Sequence, residues 1–294
     1  MNDHDRTILQ FPPPSPGYIP SNLPFFVIGI GASAGGIQAL QHFLESMPID
    51  TGMAFVVVLH LSPKHESNLD HILQSCTQMP VLQVTKTVPI QANHVYIISP
   101  ALDLLMNDGH LQVASAARPR GRHTSIDLFL RSLAEVHRER AVGIILSGTG
   151  SDGAVGIARI KERGGITLAQ SPNDAEFGSM PQNAIATGVV DFVLSASEMP
   201  QKLYELSRNA AVLEIPESGE SDQPIIVDAV EAKAWGAERA LHEILAILHA
   251  RTGHDFKHYK RATVLRRIER RLQVTALPDI VTYRDYLERN TEET

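Results

Sequence analysis

The chain has 294 residues, of which 43% are hydrophobic, enough for the core of one large domain and a small one. Its only cysteine, Cys76, excludes an intrachain disulfide, and the net charge of −7 disfavours general binding to nucleic acid. Because the sequence contains neither a secretory signal nor an apolar run that could span a bilayer, we expect a cytoplasmic protein that does not insert into membranes.

Residues 1–24 are polar and proline-rich and are predicted to form a disordered tail. A first domain over residues 25–208 then alternates buried apolar runs with segments of helical spacing. This rhythm predicts an α/β fold with a doubly wound, mostly parallel sheet and helices on both faces. The predicted strands are 25–30, 54–59, 81–85, 94–98, 141–146, 166–169 and 192–194. The predicted helices lie near 37–44, 66–76, 125–133, 154–163 and 199–208, and a hairpin is predicted around Asn107-Asp108-Gly109.

The strand pattern ends after residue 208. Residues 209–228 include an acidic, polar stretch and are predicted to be a linker. Residues 229–294 contain little strand pattern and strong helical spacing. We therefore expect a second, small all-α domain at the C-terminal end.

The first predicted strand ends in a glycine-rich turn that contains Ser33. Gly31-x-Ser33-x-Gly35 has the form of a nucleophile elbow, in which a tight strand-to-helix turn presents a serine hydroxyl. Gly29-x-Gly31-x-x-Ala34 also has the form of a dinucleotide-binding turn. A third interpretation is that Ser33 is only a small residue in a tight turn.

The end of the next strand favours the esterase interpretation. A dinucleotide site would place an acidic residue there to bind the ribose, whereas this strand ends in Leu59-His60. Histidine is the usual general base for a serine nucleophile. A metal site built from His60, His65 and His71 is an alternative, but no suitably spaced carboxylate or cysteine accompanies these histidines.

Gly148-Thr149-Gly150-Ser151-Asp152-Gly153 follows another buried strand. An aspartate at this position can accept a hydrogen bond from the imidazole of His60 and fix its tautomer. The backbone around Thr149 can supply an N–H to an oxyanion. Alternatively, Asp152 caps the helix that follows it. The chain order Ser, His, Asp differs from the Ser, Asp, His order of ordinary α/β-hydrolases.

Four segments of the first domain resemble CheB-type chemotaxis protein-glutamate methylesterases. They are residues 26–36 (FVIGIGASAGG), with His60 after its valine-rich strand; 122–131 (RHTSIDLFLR); 143–154 (GIILSGTGSDGA); and 177–184 (FGSMPQNA). The resemblance implies a serine hydrolase that removes methyl esters from glutamate side chains of chemoreceptors and that can also deamidate glutamines. It implies a triad of Ser33, His60 and Asp152, an oxyanion site at the backbone of Ala34 and Thr149, and no cofactor or metal.

This sequence departs from the usual family residues at two of those positions, because Ala34 stands where threonine or another small residue is usual and Thr149 where many members have methionine. Many members also carry an N-terminal receiver domain, in place of which this chain has only the proline-rich segment. The alternative functions are a docking module with little activity and an esterase for an unrelated small ester.

Residues 247–271 resemble the small N-terminal helical domain of CheR-type chemoreceptor methyltransferases. The chain stops at Thr294, before the methyl-donor domain of that family, so the resemblance implies a fused esterase–transferase protein. Residues 251–271 carry eight Lys/Arg against two acidic residues, so this segment has a charge of +6 and the rest of the chain −13. We predict that Arg266, Arg267, Arg270 and Arg271 lie exposed, opposite an apolar stripe. This arginine face would dock glutamate-rich receptor helices, or would simply be solvated.

Overall fold

The computed structural model describes residues 17–59, 68–99, 102–115, 125–212, 229–253 and 261–293. The chain divides into two compact units, one spanning residues 11–204 and one that includes residues 205–294. The boundary falls inside a single helix, Met199–Val212. Each unit is considered on its own.

The first unit is built on a seven-stranded sheet in which every strand pair is parallel. Its strands are β1 (Val27–Ala32), β2 (Ala54–Leu59), β3 (Val81–Val84), β5 (Val95–Ile98), β8 (Ala141–Ile145), β9 (Ile166–Gln170) and β10 (Phe192–Leu194). The order across the sheet is β10-β9-β8-β1-β2-β5-β3. The three central strands β8, β1 and β2 are buried along their whole length, which explains their unbroken apolar runs.

The helices of this unit are α1 (Gly36–Glu45), α2 (Leu69–Gln74), α3 (Ser125–His137), α4 (Ala154–Glu162), α5 (Ser179–Ala186) and α6 (Met199–Val212). A separate antiparallel sheet contains β4 (Val88–Pro89), β6 (Leu102–Asn107) and β7 (His110–Ser115), in the order β4-β7-β6. Asp108 and Gly109 both have positive φ, 46° and 70°, in the turn between β6 and β7. This two-residue turn with positive φ at both positions is the hairpin that the sequence predicts.

Two glycines of β1 allow α3 to lie close against the sheet. A Cβ on Gly31 would stand 2.3 Å from Ile126 Cγ2, and one on Gly29 would stand 2.8 Å from Leu130 Cδ2. Residues two apart in a strand face the same way, so both positions serve one packing contact. These glycines therefore set the distance between β1 and α3.

The predicted fold class is confirmed, and the predicted helices and strands of the first unit lie within a few residues of the observed ones. The sequence reasoning missed β4, which has two residues, and α5, whose Pro181 and Asn183 weaken the helical pattern. Helix α6 also continues to Val212, four residues into the predicted linker. The rest of that linker, residues 213–228, lies outside the described residues.

The expectation of a disordered tail does not hold for residues 17–24. Ile19 N–H donates to Asn107 Oδ1 over 2.7 Å, and Asp108 N–H donates to the Ile19 carbonyl over 3.0 Å. Ser21 N–H donates to the Val136 carbonyl over 3.0 Å, and Leu23 packs against the core. The proline content still prevents regular structure, but this segment is held between the hairpin and the end of α3.

The second unit contains α7 (Ala229–Thr252), α8 (Arg261–Thr275) and α9 (Ile280–Arg289). Its core holds the buried apolar residues Ala240, Leu241, Ile244, Val264, Ile268, Leu272, Ile280, Tyr283 and Leu287. The guanidinium of Arg251 donates to the carbonyls of Leu287, Glu288 and Asn290 and so caps the C-terminal end of α9. In the described part of either unit, no helix is both long and apolar enough to cross a membrane.

Candidate active site

The strand order has a topological switch point between β1 and β8. The chain adds β2, β3 and β5 on one side of β1 and then returns to add β8, β9 and β10 on the other. In such open sheets, ligands bind at the carboxyl ends of the strands where the winding direction changes. Ser33 directly follows β1, and the loop that contains Asp152 follows β8. Topology therefore brings these two predicted residues to the same edge.

The Ser33 turn is fastened to the β8 loop through Ser147, which is completely buried. Ser33 N–H donates to the Ser147 carbonyl over 3.0 Å, and Ser147 Oγ donates to the Ala34 carbonyl over 2.9 Å. The same Oγ accepts a hydrogen bond of 2.9 Å from Phe177 N–H. Gly35 has a φ of 69°, in the left-handed region that favours glycine. The serine is thus held on a turn with little freedom to move.

Residues before and within α5 complete the loop around Ser33. Gly148 N–H donates to the Phe177 carbonyl over 2.9 Å, and Met180 N–H donates to the Gly148 carbonyl over 3.0 Å. A Cβ on Gly148 would stand 2.2 Å from Met180 Sδ and 3.0 Å from Ser33 Cβ, so a larger residue there would displace the Met180 side chain. From the sequence, residues 177–184 were identified only by their resemblance to the methylesterase family. The roles of Ser147, Phe177 and Met180 in holding the Ser33 turn were not predicted.

Two backbone N–H groups beside Ser33 are available to a ligand. Ala34 follows the serine directly, and Thr149 lies exposed in the loop after β8. Within the described part of the chain, no group accepts a hydrogen bond from the N–H of either residue. Unsatisfied N–H groups at a strand-end turn are the kind of donor that can stabilise an oxyanion.

Asp152 is buried, and each of its carboxylate oxygens accepts a backbone hydrogen bond from the first turn of α3. Oδ2 accepts from Ile126 N–H over 3.1 Å, and Oδ1 accepts from Asp127 N–H over 2.9 Å. The alternative that Asp152 caps the following helix is corrected here, since α4 has Gly153 at its N-cap and Asp152 caps α3 instead. Ser125, the first residue of α3, donates from its Oγ to Asp103 Oδ1 over 3.0 Å.

His60 and His65 lie outside the described residues, whereas His71 lies exposed on α2. No group of three or more His, Cys, Asp or Glu residues that could hold a metal ion occurs in the ranges that the structure describes. The dinucleotide interpretation is weakened by Gly29 and Gly31. Both lie inside β1 and face side chains of α3, rather than lying in the turn after the strand, where a pyrophosphate binds.

The predicted arginine face is corrected by the structure. Arg267 is exposed, as predicted, but Arg270 is 9% exposed and donates to Gln273 Oε1 over 2.7 Å. Arg271 binds Glu293 through two hydrogen bonds of 2.6 Å each. Arg271 lies seven residues after Val264, nearly two turns of about 3.6 residues, and so falls beside the apolar stripe rather than opposite it. The side chain of Arg266 lies outside the described part.

The fold and the site define a class of protein. It is a doubly wound α/β domain that presents a serine on a glycine turn, an aspartate loop and free N–H donors at its switch point. Residues 28–203 match the family model described as CheB methylesterase, and residues 239–294 match the all-alpha domain of CheR methyltransferase. The chain belongs to the CheB methylesterase family.

Individual relatives agree with this assignment. A protein of Leptospira interrogans, assigned as a protein-glutamate methylesterase/protein-glutamine glutaminase, is 32% identical over 183 residues, which cover 62% of this chain and 95% of that protein. The protein-glutamate methylesterase/protein-glutamine glutaminase of Pectobacterium atrosepticum is 33% identical over 60% of this chain and 51% of its own length. The crystal structure of the Thermotoga maritima CheB methylesterase catalytic domain matches with a TM-score of 0.57 and 27% identity, over 62% of this chain and 98% of that one.

A longer relative is similar beyond the methylesterase region. An uncharacterised 104.1 kDa protein of Rhodobacter capsulatus is 35% identical over 224 residues, which is 74% of this chain but only 23% of that protein. The chain therefore spans about a quarter of one relative and about half of several others.

Proposed function

We propose that this protein hydrolyses methyl esters of glutamate side chains on chemoreceptors, with Ser33 as nucleophile, His60 as general base and Asp152 as the residue that orients the base. The observation that carries the proposal is the hydrogen-bonded contact between the Ser33 turn and the loop after β8 at the switch point of the sheet. Membership of the methylesterase family supports the reaction type.

The reaction proceeds through an acyl-enzyme. His60 removes the proton from Ser33 Oγ, which attacks the ester carbonyl and forms a tetrahedral intermediate. The N–H groups of Ala34 and Thr149 stabilise the negative oxygen of that intermediate. The imidazolium returns its proton to the methoxide, methanol leaves, and a water molecule activated by the same imidazole then releases glutamate. A glutamine side chain reacts in the same way, with ammonia as the leaving group.

The substrate is expected to be a methylated helix of a chemoreceptor in the cytoplasm, and a methyltransferase domain is expected to work with this chain. Support comes from the match of residues 239–294 to a domain of receptor methyltransferases. Of the four arginines predicted to dock the receptor, Arg267 is the one whose exposed side chain the structure describes. Arg267 is therefore the arginine of this helix that we expect to contribute most to receptor docking, because Arg270 is buried and Arg271 is bound to Glu293.

Methanol release from a methylated receptor tests the proposal. The purified full chain is mixed with a receptor cytoplasmic fragment that carries labelled methyl esters, and volatile label is measured over time. Ser33→Ala should release no methanol above the uncatalysed rate, and its melting temperature should stay close to that of the wild type, because alanine fits the same turn. If Ser33→Ala releases methanol at the wild-type rate, the assignment is wrong. If the wild type releases none, a docking function without hydrolysis becomes the better account.

A further inference from the structure

The buried Asp152 carboxylate has a counterpart on the neighbouring helix. Asp127, in the first turn of α3, accepts two hydrogen bonds at Oδ1, from Gly153 N–H over 2.9 Å and from Gly156 N–H over 2.7 Å. These two N–H groups belong to the N-cap and the first turn of α4. Asp152, directly before α4, accepts in turn from Ile126 and Asp127 at the start of α3. Asp127, which lies in α3, thus caps α4, and Asp152, which lies before α4, caps α3.

This exchange is possible because the two helices start very close together. A Cβ on Gly156 would stand 2.6 Å from Leu130 Cβ and 3.3 Å from Asp127 Cα, and one on Gly153 would stand 3.0 Å from Ile126 Cγ2. The first turns of α3 and α4 therefore have no space for side chains between them. Four backbone N–H groups that would otherwise be unsatisfied at the helix ends are bonded by two carboxylates.

The arrangement holds two like charges near each other. Burial raises the pKa of Asp127, and the nearby Asp152 carboxylate raises it further, while the hydrogen bond from Gly156 lowers it. The four N–H groups at the helix N-termini offset this repulsion, because they direct partial positive charge toward the carboxylates. Removing the Asp127 carboxylate would free the N–H groups of Gly153 and Gly156, so α4 and the Asp152 directly before it would no longer be fixed relative to the donors in α3.

From this geometry we infer that Asp127 is a positioning residue for catalysis, which holds Asp152, and through it the base, in the orientation that activates Ser33. The inference rests on the proposed function, because Asp127 acts through Asp152 and has no contact with substrate in this scheme. Asp127 positions α4 relative to α3, and α3 supplies both backbone donors that fix the Asp152 carboxylate. An error of about 1 Å in such a group can lower turnover about a hundred-fold.

The test compares three variants of Asp127 in the full chain, with kcat and KM measured from methanol release. Asp127→Ala should lower kcat about 10- to 100-fold at a nearly unchanged KM. Asp127→Asn keeps an acceptor oxygen at the position of Oδ1 and should retain kcat within about three-fold. Asp127→Glu keeps the charge but moves the acceptor by one methylene, so its kcat should fall by about ten-fold or more. If Asp127→Ala does not fold, the comparison of Asn with Glu still decides between geometry and charge.

A double-mutant cycle separates positioning from general destabilisation. Asp152→Ala should lower kcat by about 10³- to 10⁴-fold, and adding Asp127→Ala should lower it by less than about three-fold more, because both residues act as one unit. Ser125→Ala is the matched control. It removes a side-chain hydrogen bond at the start of α3 without touching the donors to Asp152, so kcat should not change.

The outcomes are distinguishable. The inference is overturned if Asp127→Ala lowers the melting temperature but keeps full kcat, if its effect multiplies with that of Asp152→Ala, or if Asp127→Glu is as active as Asp127→Asn. If any of these results is found while Ser33→Ala is inactive, the proposed function still holds and only the role of Asp127 is wrong. An active Ser33→Ala overturns the proposed function and this inference with it.

Discussion

His137, the last residue of α3, should make the stability of the α/β unit depend on pH. Its side chain is 5% exposed, and within the described residues neither ring nitrogen has a hydrogen-bond partner. Burial, together with the nearby charge of Arg140, lowers the pKa of His137 from 6.5 to about 4. The folded protein therefore keeps this imidazole neutral at pH values where the unfolded chain protonates it.

The sign and the size of the effect follow from linkage. Because the pKa is lower in the folded state, the unfolded state binds more protons between pH 6.5 and about 4, and stability falls as the pH falls through this range. Each unit of pKa shift corresponds to about 1.4 kcal/mol, so the loss reaches about 3 kcal/mol near pH 4. Above pH 6.5 His137 contributes no pH dependence.

His137→Leu isolates the contribution of His137 to the pH dependence of stability, because leucine fills the buried site without a titratable group. Urea unfolding of wild type and variant is followed by circular dichroism at several pH values, and the difference cancels the titration of all other groups. Trp235 lies in α7, so its fluorescence identifies the transition of the helical unit. The stability of His137→Leu relative to wild type should rise by about 3 kcal/mol from pH 7 to pH 4. A difference that stays constant over this range would refute the reasoning, because the imidazole would then be solvated or paired.

Two further predictions concern packing and charge. Gly31→Ala places a methyl group 2.3 Å from Ile126 Cγ2, so it should push α3 away from the sheet. The expected destabilisation of the α/β unit is about 1–3 kcal/mol. An unchanged midpoint of urea unfolding would show that α3 can shift without cost. Arg271→Ala removes two of the hydrogen bonds to the Glu293 carboxylate, whose side chain is 7% exposed, and leaves the one from the Tyr283 hydroxyl. It should destabilise the helical unit by about 1–3 kcal/mol in thermal unfolding followed by Trp235 fluorescence. Arg267→Ala, at an exposed position of the same helix, is the control and should change stability by less than about 0.5 kcal/mol. Equal effects of the two variants would show that the pair of Arg271 with the buried Glu293 carboxylate does not contribute to stability.

Much of the α/β fold could be predicted because its signals are local. The apolar run of β2 matches the predicted strand residue for residue, and the two positive φ values at Asp108 and Gly109 follow from the Asn-Asp-Gly sequence. The sheet order was not predictable in the same way. It depends on contacts between distant parts of the chain, such as that of α3 with Gly29 and Gly31, segments about one hundred residues apart.

The candidate site was only partly accessible from the sequence. Ser33 and Asp152 carry side chains whose chemistry is suggestive at strand ends, so they could be identified. Ser147 fastens the turn through a fully buried hydroxyl, and nothing in its sequence neighbourhood distinguishes it from a small loop residue. Asp127 resembled an ordinary acidic residue in a first helical turn, and only the structure brings it to Gly153 and Gly156.

The errors have a common physical cause. The periodicity of α8 identifies its apolar side but does not show what else covers the helix, so Arg270 was predicted to be exposed although it is buried. The proline-rich composition of residues 17–24 indicates irregular backbone correctly. It does not reveal that Ile19 and Ser21 form hydrogen bonds with distant parts of the chain. In both cases, tertiary contacts override a local pattern.

The central claim is that Ser33 forms an acyl-enzyme with a glutamyl side chain. The most direct measurement is a rapid acid quench of the full chain mixed with a methylated receptor fragment, followed by protease digestion and mass spectrometry. The account predicts an ester-linked adduct, equal in mass to the receptor peptide less methanol, on the peptide that contains Ser33, and no adduct in Ser33→Ala. An adduct on another residue, or methanol release by Ser33→Ala without any adduct at this position, would contradict the claim.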